Sequence, residues 1–175
     1  MKASTLLLLG DSLIDYGNWQ KLLPGYTTIS RGVPGERSEE LLRRLPYCCS
    51  HEAVDAVLVM TGTNNLLAGD PAFTETVKTI ITRLKRCYSG AFILVNSLAP
   101  VRVPQFQRII QCANADLRTV AETSGALYLD LYSCFEEGKQ PLFDFDGVHF
   151  NHSGYALWAE LLSETLGTLL AKDRD

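Results

Sequence analysis

The sequence predicts an α/β fold, a five-stranded parallel sheet with helices on both faces. Two observations carry that prediction. Short runs such as Leu6-Leu7-Leu8-Leu9 and Val57-Leu58-Val59-Met60 are continuously apolar, as strands covered on both faces must be. Between such runs lie longer stretches whose apolar residues recur at the 3.6-residue spacing of a helix. At 175 residues the chain has the length of one domain, predicted over residues 1–175, and needs no disulfide or metal to bury a core.

The elements follow in order. Thr5–Leu9 is the first strand candidate, closed by Gly10. Thr27–Ile29 is the second, followed by a helix over Ser38–Leu45 with Ser38 as its expected N-cap. Val54–Met60 reads as the third strand. Asp70-Pro71 then opens a helix whose stripe is Phe73, Val77, Ile80, Ile81 and Leu84. Ala91–Asn96 is the fourth strand, and Phe106, Ile110, Ala113, Leu117 and Val120 mark the next helix. After the fifth strand, Ala126–Leu129, a last helix runs from about Ser153 to Ala171 with Leu157, Leu161, Leu162, Leu166 and Leu169 turned inward. Right-handed crossovers put every strand's C-terminal end along one edge, where such sheets carry their sites. Functional residues are therefore expected just after strands.

Hydrophobic residues make up 46% and charged residues 21%, as in ordinary globular proteins. A net charge of −4 gives no electrostatic reason to expect nucleic acid or an anionic membrane as partner. Arg43-Arg44 reads as a solvated helix face. The leucine run is too short for a secretory or spanning segment, and cleavage there would remove Gly10-Asp11-Ser12. The expectation is a cytoplasmic protein with no stable membrane insertion. Five cysteines, an odd number with no Cys-x-x-Cys, read as thiols of a reducing compartment rather than a zinc or redox centre.

Ser12 follows the first strand within Leu9-Gly10-Asp11-Ser12-Leu13. A serine there is either a nucleophile or simply a helix cap. A nucleophilic serine needs a base, and the base an orienting carboxylate. Of the three histidines, His51 and His152 lack an acidic residue three positions before them, whereas His149 has Asp146, with Gly147 between to let the loop fold. Asp144 is a second acceptor five residues back. The same segment admits blander readings: a turn that starts the last helix, with His152 or Asn151 as its cap. A metal site from Asp144, Asp146, His149 and His152 is the sharper rival, though no His-Glu-x-x-His pattern accompanies it. Two further loops follow strands and can present oxyanion donors: Gly32 through its backbone N–H and Asn64 through its carboxamide. Ser97, after the fourth strand, lacks the Gly-Asp lead-in and reads as a loop residue.

From Gly10 to Tyr155 the chain resembles the SGNH, or GDSL-type, hydrolases. Gly10-Asp11-Ser12-Leu13 is similar to the first block, Gly32 in Arg31-Gly32-Val33-Pro34-Gly35 to the second, Gly62-Thr63-Asn64-Asn65 to the third, and Asp146-Gly147-Val148-His149 to the last. The resemblance implies a three-layer α/β/α flavodoxin-like fold and hydrolysis of esters without metal or other cofactor. It implies Ser12 as nucleophile, His149 as base and Asp146 as orienting acid. The Ser12 N–H, the Gly32 N–H and the Asn64 side chain would form the oxyanion hole. Asn65 stands where the family usually has Asp, which predicts an altered supporting network rather than a dead enzyme. Asp11, Leu13, Asn65, Phe145 and Val148 are expected to support the site or rim the substrate. Tyr16, Trp19, Leu66, Leu67, Phe143 and Phe150 are near in sequence and divide between rim and core. The expected substrate is a small-molecule ester, cleaved by an acyl esterase, lysophospholipase or thioesterase. A carbohydrate O-deacetylase is the alternative, and a non-catalytic binding domain retaining the fold is the rival from another class.

Overall fold

The computed structural model of the chain describes residues 3–49 and 53–172. The five predicted strands form one parallel sheet in the order β2-β1-β3-β4-β5: β1 is Ser4–Gly10, β2 Tyr26–Gly32, β3 Ala56–Met60, β4 Phe92–Asn96 and β5 Leu127–Leu129. The edge strand β2 is longer than its apolar run, extending through Ser30 and Arg31. An edge strand has one neighbour only, so polar residues are tolerated along it.

Alternation along the strands sorts the core into two layers. Leu7 and Leu9 turn toward α3 (Ser38–Cys48), the short α4 (Thr63–Leu67), α5 (Phe73–Cys87) and α6 (Gln107–Thr123) and meet Leu41, Leu66, Val77, Ile81 and Ile110. Leu6 and Leu8 turn to the opposite face. That face carries α1 (Ser12–Asp15), α2 (Trp19–Leu22), α7 (Leu131–Glu137) and the long α8 (His152–Lys172). There Trp19 and Trp158 cross edge to face at 4.8 Å. Each indole N–H is satisfied, Trp19 by the Ile14 carbonyl (2.7 Å) and Trp158 by Asn96 Oδ1 (2.9 Å), as buried tryptophans require. The predicted three-layer α/β/α architecture is the observed one.

One helix start differs from expectation, and at another the structure chooses between the two caps the sequence offered. Arg37, not Ser38, is the N-cap of α3, its N–H donating to Glu40 Oε2 at 2.9 Å. Asn151 opens α8: Asn151 Oδ1 accepts the Gly154 N–H at 3.0 Å, while His152 is the first helical residue and is exposed. The amide side chain reaches the third N–H of the helix as a capping oxygen should.

The thiol reading fails for two cysteines. Cys49 ends α3 and Cys87 ends α5, and the two helices lie side by side on one face of the sheet. Their Cα atoms stand 6.0 Å apart and the pair forms a disulfide, at the separation such a bond requires. Cys48, Cys112 and Cys134 are free. The odd cysteine count therefore lends no support to a reducing compartment. Thiol titration of the unfolded, unreduced protein is expected to count three groups and to count five after reduction; five before reduction would remove the bridge. No helix among the described residues is long and apolar enough to cross a membrane.

Candidate active site

The residues singled out after β1 and before α8 meet at the C-terminal edge of the sheet. Gly10 ends β1, and Asp11 caps the single turn of α1 by accepting the Leu13 N–H at 3.0 Å. That turn holds Ser12 half-buried, with Oγ 2.9 Å from His149 Nε2.

The histidine sits in a tight hairpin. Phe143 and Phe150 form an antiparallel bridge, the Asp144 N–H donates to the His149 carbonyl (2.8 Å), and the Gly147 N–H returns to the Asp144 carbonyl (3.1 Å). Gly147 has φ +69°, a left-handed conformation that a side chain would strain. Asp146 uses both oxygens. Oδ1 accepts the backbone N–H groups of Val148 and His149, each at 2.9 Å, and Oδ2 lies 2.5 Å from His149 Nδ1. Nδ1–H donation to Asp146 leaves Nε2 as the acceptor for the Ser12 hydroxyl. The imidazole hydrogen bond, followed by those backbone donors, draws the Asp146 carboxyl down to about 2. Asp144 shapes the hairpin through its backbone alone.

The competing readings do not meet at this point. Ser97 is fully buried, its Oγ accepting the Tyr132 N–H at 2.8 Å. Among the described residues no group of three or more His, Cys, Asp and Glu side chains is gathered as metal ligands, so Asp144, Asp146, His149 and His152 do not converge. His51 lies outside the described residues.

A pocket of about 280 Å³ opens over Ser12 and His149, with Leu13, Tyr16, Leu67 and Val148 among its walls. Of the other apolar candidates, Trp19, Leu66 and Phe150 are core, Phe143 packs against Phe135 and Phe150, and Phe145 stands wholly in solvent. Asn64 lines the pocket; its Nδ2 donates to the Glu36 carbonyl at 3.0 Å and, more weakly, to Asp11 Oδ2 at 3.4 Å. Gly32 stands behind the wall, paired with Gly10 across the sheet. A β-carbon there would press into the Asp15 backbone and the Asp11 carbonyl, so glycine lets α1 lie directly on β2.

Asp11 is buried, and burial pushes its carboxyl up to about 6, against the opposing pull of the Leu13 N–H and the His149 charge. An acid whose folded-state value is raised loses stability as pH climbs from its unfolded value to its folded one, here from about 4 to about 6. The expected cost above that window is about 2–3 kcal/mol. Asp11→Asn should flatten this decline, and urea unfolding at pH 4.5 and 7.5 reads it directly. An unchanged slope would show that Asp11 does not titrate there.

Sequence reasoning missed the support behind the pocket. Arg44 was expected in solvent with Arg43, but its guanidinium turns inward onto buried Glu36 in a forked ion pair. The Nη2 group also donates to the Arg31 carbonyl at 2.8 Å and reaches the Gly10 carbonyl at 3.4 Å. One side chain thus ties the ends of β1 and β2 to the loop whose Glu36 carbonyl holds Asn64. A signal was present: Arg44 lies three after Leu41 and four before Cys48, on the buried face of α3.

The comparisons with known proteins bear on the fold and on the family. No curated protein matches the sequence. Among solved structures, the chain is similar to the lipase/acylhydrolase from Enterococcus faecalis (20% identity, TM-score 0.79, 93% of this chain and 95% of that one). It is also similar to the acetyl xylan esterase AlAXEase (17%, TM-score 0.79, 93% and 99%). A GDSL-like lipase from Bacteroides thetaiotaomicron VPI-5482 matches at 18% identity and TM-score 0.76, over 95% and 89%. Identities this low speak to the fold. The family is carried by the sequence itself: residues 8–157 match the GDSL-like Lipase/Acylhydrolase family, and to that family the chain belongs.

Proposed function

We propose that the chain hydrolyses short-chain carboxylic esters through an acyl-enzyme on Ser12, with His149 as base, Asp146 as its orienting acid and no metal. The observation that carries this is the unbroken relay Asp146–His149–Ser12, at 2.5 and 2.9 Å, on the wall of the pocket. Ser12 Oγ attacks the ester carbonyl while Nε2 takes its proton. The C–O bond to the alcohol breaks, and the alcohol leaves with that proton. Water then gives its proton to Nε2 and cleaves the acyl-serine, releasing the acid. The developing oxyanion is met by the Ser12 N–H and by Asn64 Nδ2, whose long contact to Asp11 is the one free to move; Gly32, standing behind the wall, leaves the third donor to Gly35, which lines the pocket. A pocket of about 280 Å³ suits a short acyl group.

A fluorophosphonate probe is expected to add one label per chain, at Ser12 by peptide mass, with a chelator leaving the rate on p-nitrophenyl acetate unchanged. An unlabelled, folded protein would instead support a non-catalytic binding domain. Loss of rate on chelation with recovery on metal addition would support the metal reading.

A further inference from the structure

Neither Glu36 nor Arg44 lines the catalytic pocket, yet the two proposed oxyanion donors outside the Ser12 turn both lead back to them. Gly35 sits in a tight turn, Val33–Glu36, closed by the Glu36 N–H on the Val33 carbonyl at 3.1 Å. Pro34 and Gly35 occupy its centre, with Gly35 at φ +76°, as a turn with proline at its second residue and glycine at its third allows. The closing bond does not use the Gly35 N–H. Asn64 meets the same turn from the other side, its Nδ2 donating to the Glu36 carbonyl at 3.0 Å.

A turn closed by one hydrogen bond is a loose mount for a donor that must be placed to within about half an ångström. Arg44 stiffens it. Its Nε and Nη2 grip both oxygens of the buried Glu36 carboxylate, and Nη2 also donates to the Arg31 carbonyl at 2.8 Å. Those two attachments stand on either side of residues 32–35. Nη2 reaches the Gly10 carbonyl as well, at 3.4 Å, just before Asp11 and Ser12. Nη1 donates to Cys48 Sγ at 3.1 Å, one turn further along α3, so the guanidinium is held at all three nitrogens. At its other end α3 is tied to α4, which carries Asn64, by the Ser38 N–H on Asn65 Oδ1 at 2.9 Å.

We infer that Arg44, with Glu36 as its counter-ion, is a positioning residue for the oxyanion hole: it fixes the Gly35 N–H relative to Asn64 Nδ2 without touching substrate. The inference rests on the reading of Ser12 given above. As the bond from Ser12 Oγ to the ester carbon forms, the π electrons of the carbonyl move onto its oxygen and the Oγ proton passes to His149 Nε2. Charge then appears where both donors must already stand. The ester before attack carries far less charge on that oxygen, so a slack turn costs turnover rather than binding. Lysine at position 44 would keep the charge. An ammonium, however, cannot fork onto Glu36 and hold the strand-end carbonyls at once.

Arg44→Lys is therefore expected to lower kcat on p-nitrophenyl acetate about 10- to 100-fold, the effect of misplacing a group from a distance, while KM hardly moves. A short trifluoromethyl ketone adds to Ser12 and carries an oxyanion, so its affinity should fall by the same factor as kcat. A merely structural role would lower the melting temperature but leave kcat and ketone affinity at parent values well below it. Glu36→Gln with Arg44→Met removes both charges together, so neither is stranded, and should show the same loss of kcat. One measurement needs no variant. In the parent the Arg44 Nε–H should give a sharp NMR signal, slow to exchange with water and unmoved when the ketone adds, while the Gly35 and Asn64 amide signals shift. Parent-level kcat in either folded variant, or an Arg44 signal averaged by exchange, overturns the proposal. A parent that neither turns over ester nor binds the ketone fails at Ser12 itself, whereas an active parent beside equally active variants fails at Arg44 alone.

Discussion

Ser12→Ala is expected to lower kcat on p-nitrophenyl acetate by about 10⁴-fold or more, the scale of losing a nucleophile from a concerted triad. Stability should hardly move. The Ser12 hydroxyl touches only the imidazole, and the turn of α1 is capped by Asp11 rather than by Ser12. Asp146→Asn separates orientation from nucleophilicity. An amide oxygen still accepts the Val148 and His149 N–H groups that close the hairpin. Its NH₂ would face Nδ1, however, forcing the proton onto Nε2, where it opposes the Ser12 hydroxyl. Turnover should then fall about 10⁴-fold with the fold intact. Stopped assays on both variants beside circular dichroism read the outcome. Near-native turnover in Ser12→Ala would refute the nucleophile, and equal losses of activity and structure would reassign the relay to stability.

Asn65→Asp restores the residue usual at this position in the family and is nonetheless expected to destabilise the protein. Asn65 is fully buried and uses all three of its contacts: Oδ1 accepts the Ser38 N–H at 2.9 Å, and Nδ2 donates to Glu39 Oε2 and Asp70 Oδ2, each at 2.9 Å. A carboxylate keeps the first and turns the other two into repulsions. Each charge-assisted hydrogen bond is worth about 1.5–3 kcal/mol, and stranding an unpaired buried charge costs about 3–5 kcal/mol. The expected loss is about 3–5 kcal/mol at neutral pH on that basis. It should shrink in acid, as one carboxyl of the trio takes up a proton. The Asn65 hydrogen bond is also what chiefly holds the Glu39 carboxyl below its ordinary value, so Glu39 should titrate higher in the variant. Adding Glu39→Gln, which returns a donor, should recover about half of the loss. A variant as stable as the parent would mean that the three side chains are not coupled. The departure at Asn65 is thus matched by Glu39 and Asp70, both acidic where the amide offers hydrogens.

The hydrogen-bonded arrangement of Asp146, His149 and Ser12, the proposed triad, was legible because each half of it is local. Asp146 and His149 are three residues apart around one glycine, and Ser12 directly follows a strand, so pattern and turn chemistry were enough to select them. The five strands and the four long helices were likewise written in period and in apolar runs. The short helices at Trp19–Leu22, Thr63–Leu67 and Leu131–Glu137 carry too few turns for a period to register. Asn64 was found for its amide, but its engagement with Glu36 and Asp11 was not, since those partners come from two other loops.

Local sequence therefore settled which elements form, their order, and which side chains stand at strand ends, because those depend on dihedral preference and burial over a few neighbours. The packing of α3 against α5 alone joined Cys49 to Cys87, and the seating of α3 on the sheet alone turned Arg44 inward. The close rest of α1 on β2 set Gly32 behind the pocket. Each is a distance between segments far apart in the chain, fixed by how whole faces pack, and no short-range pattern encodes it.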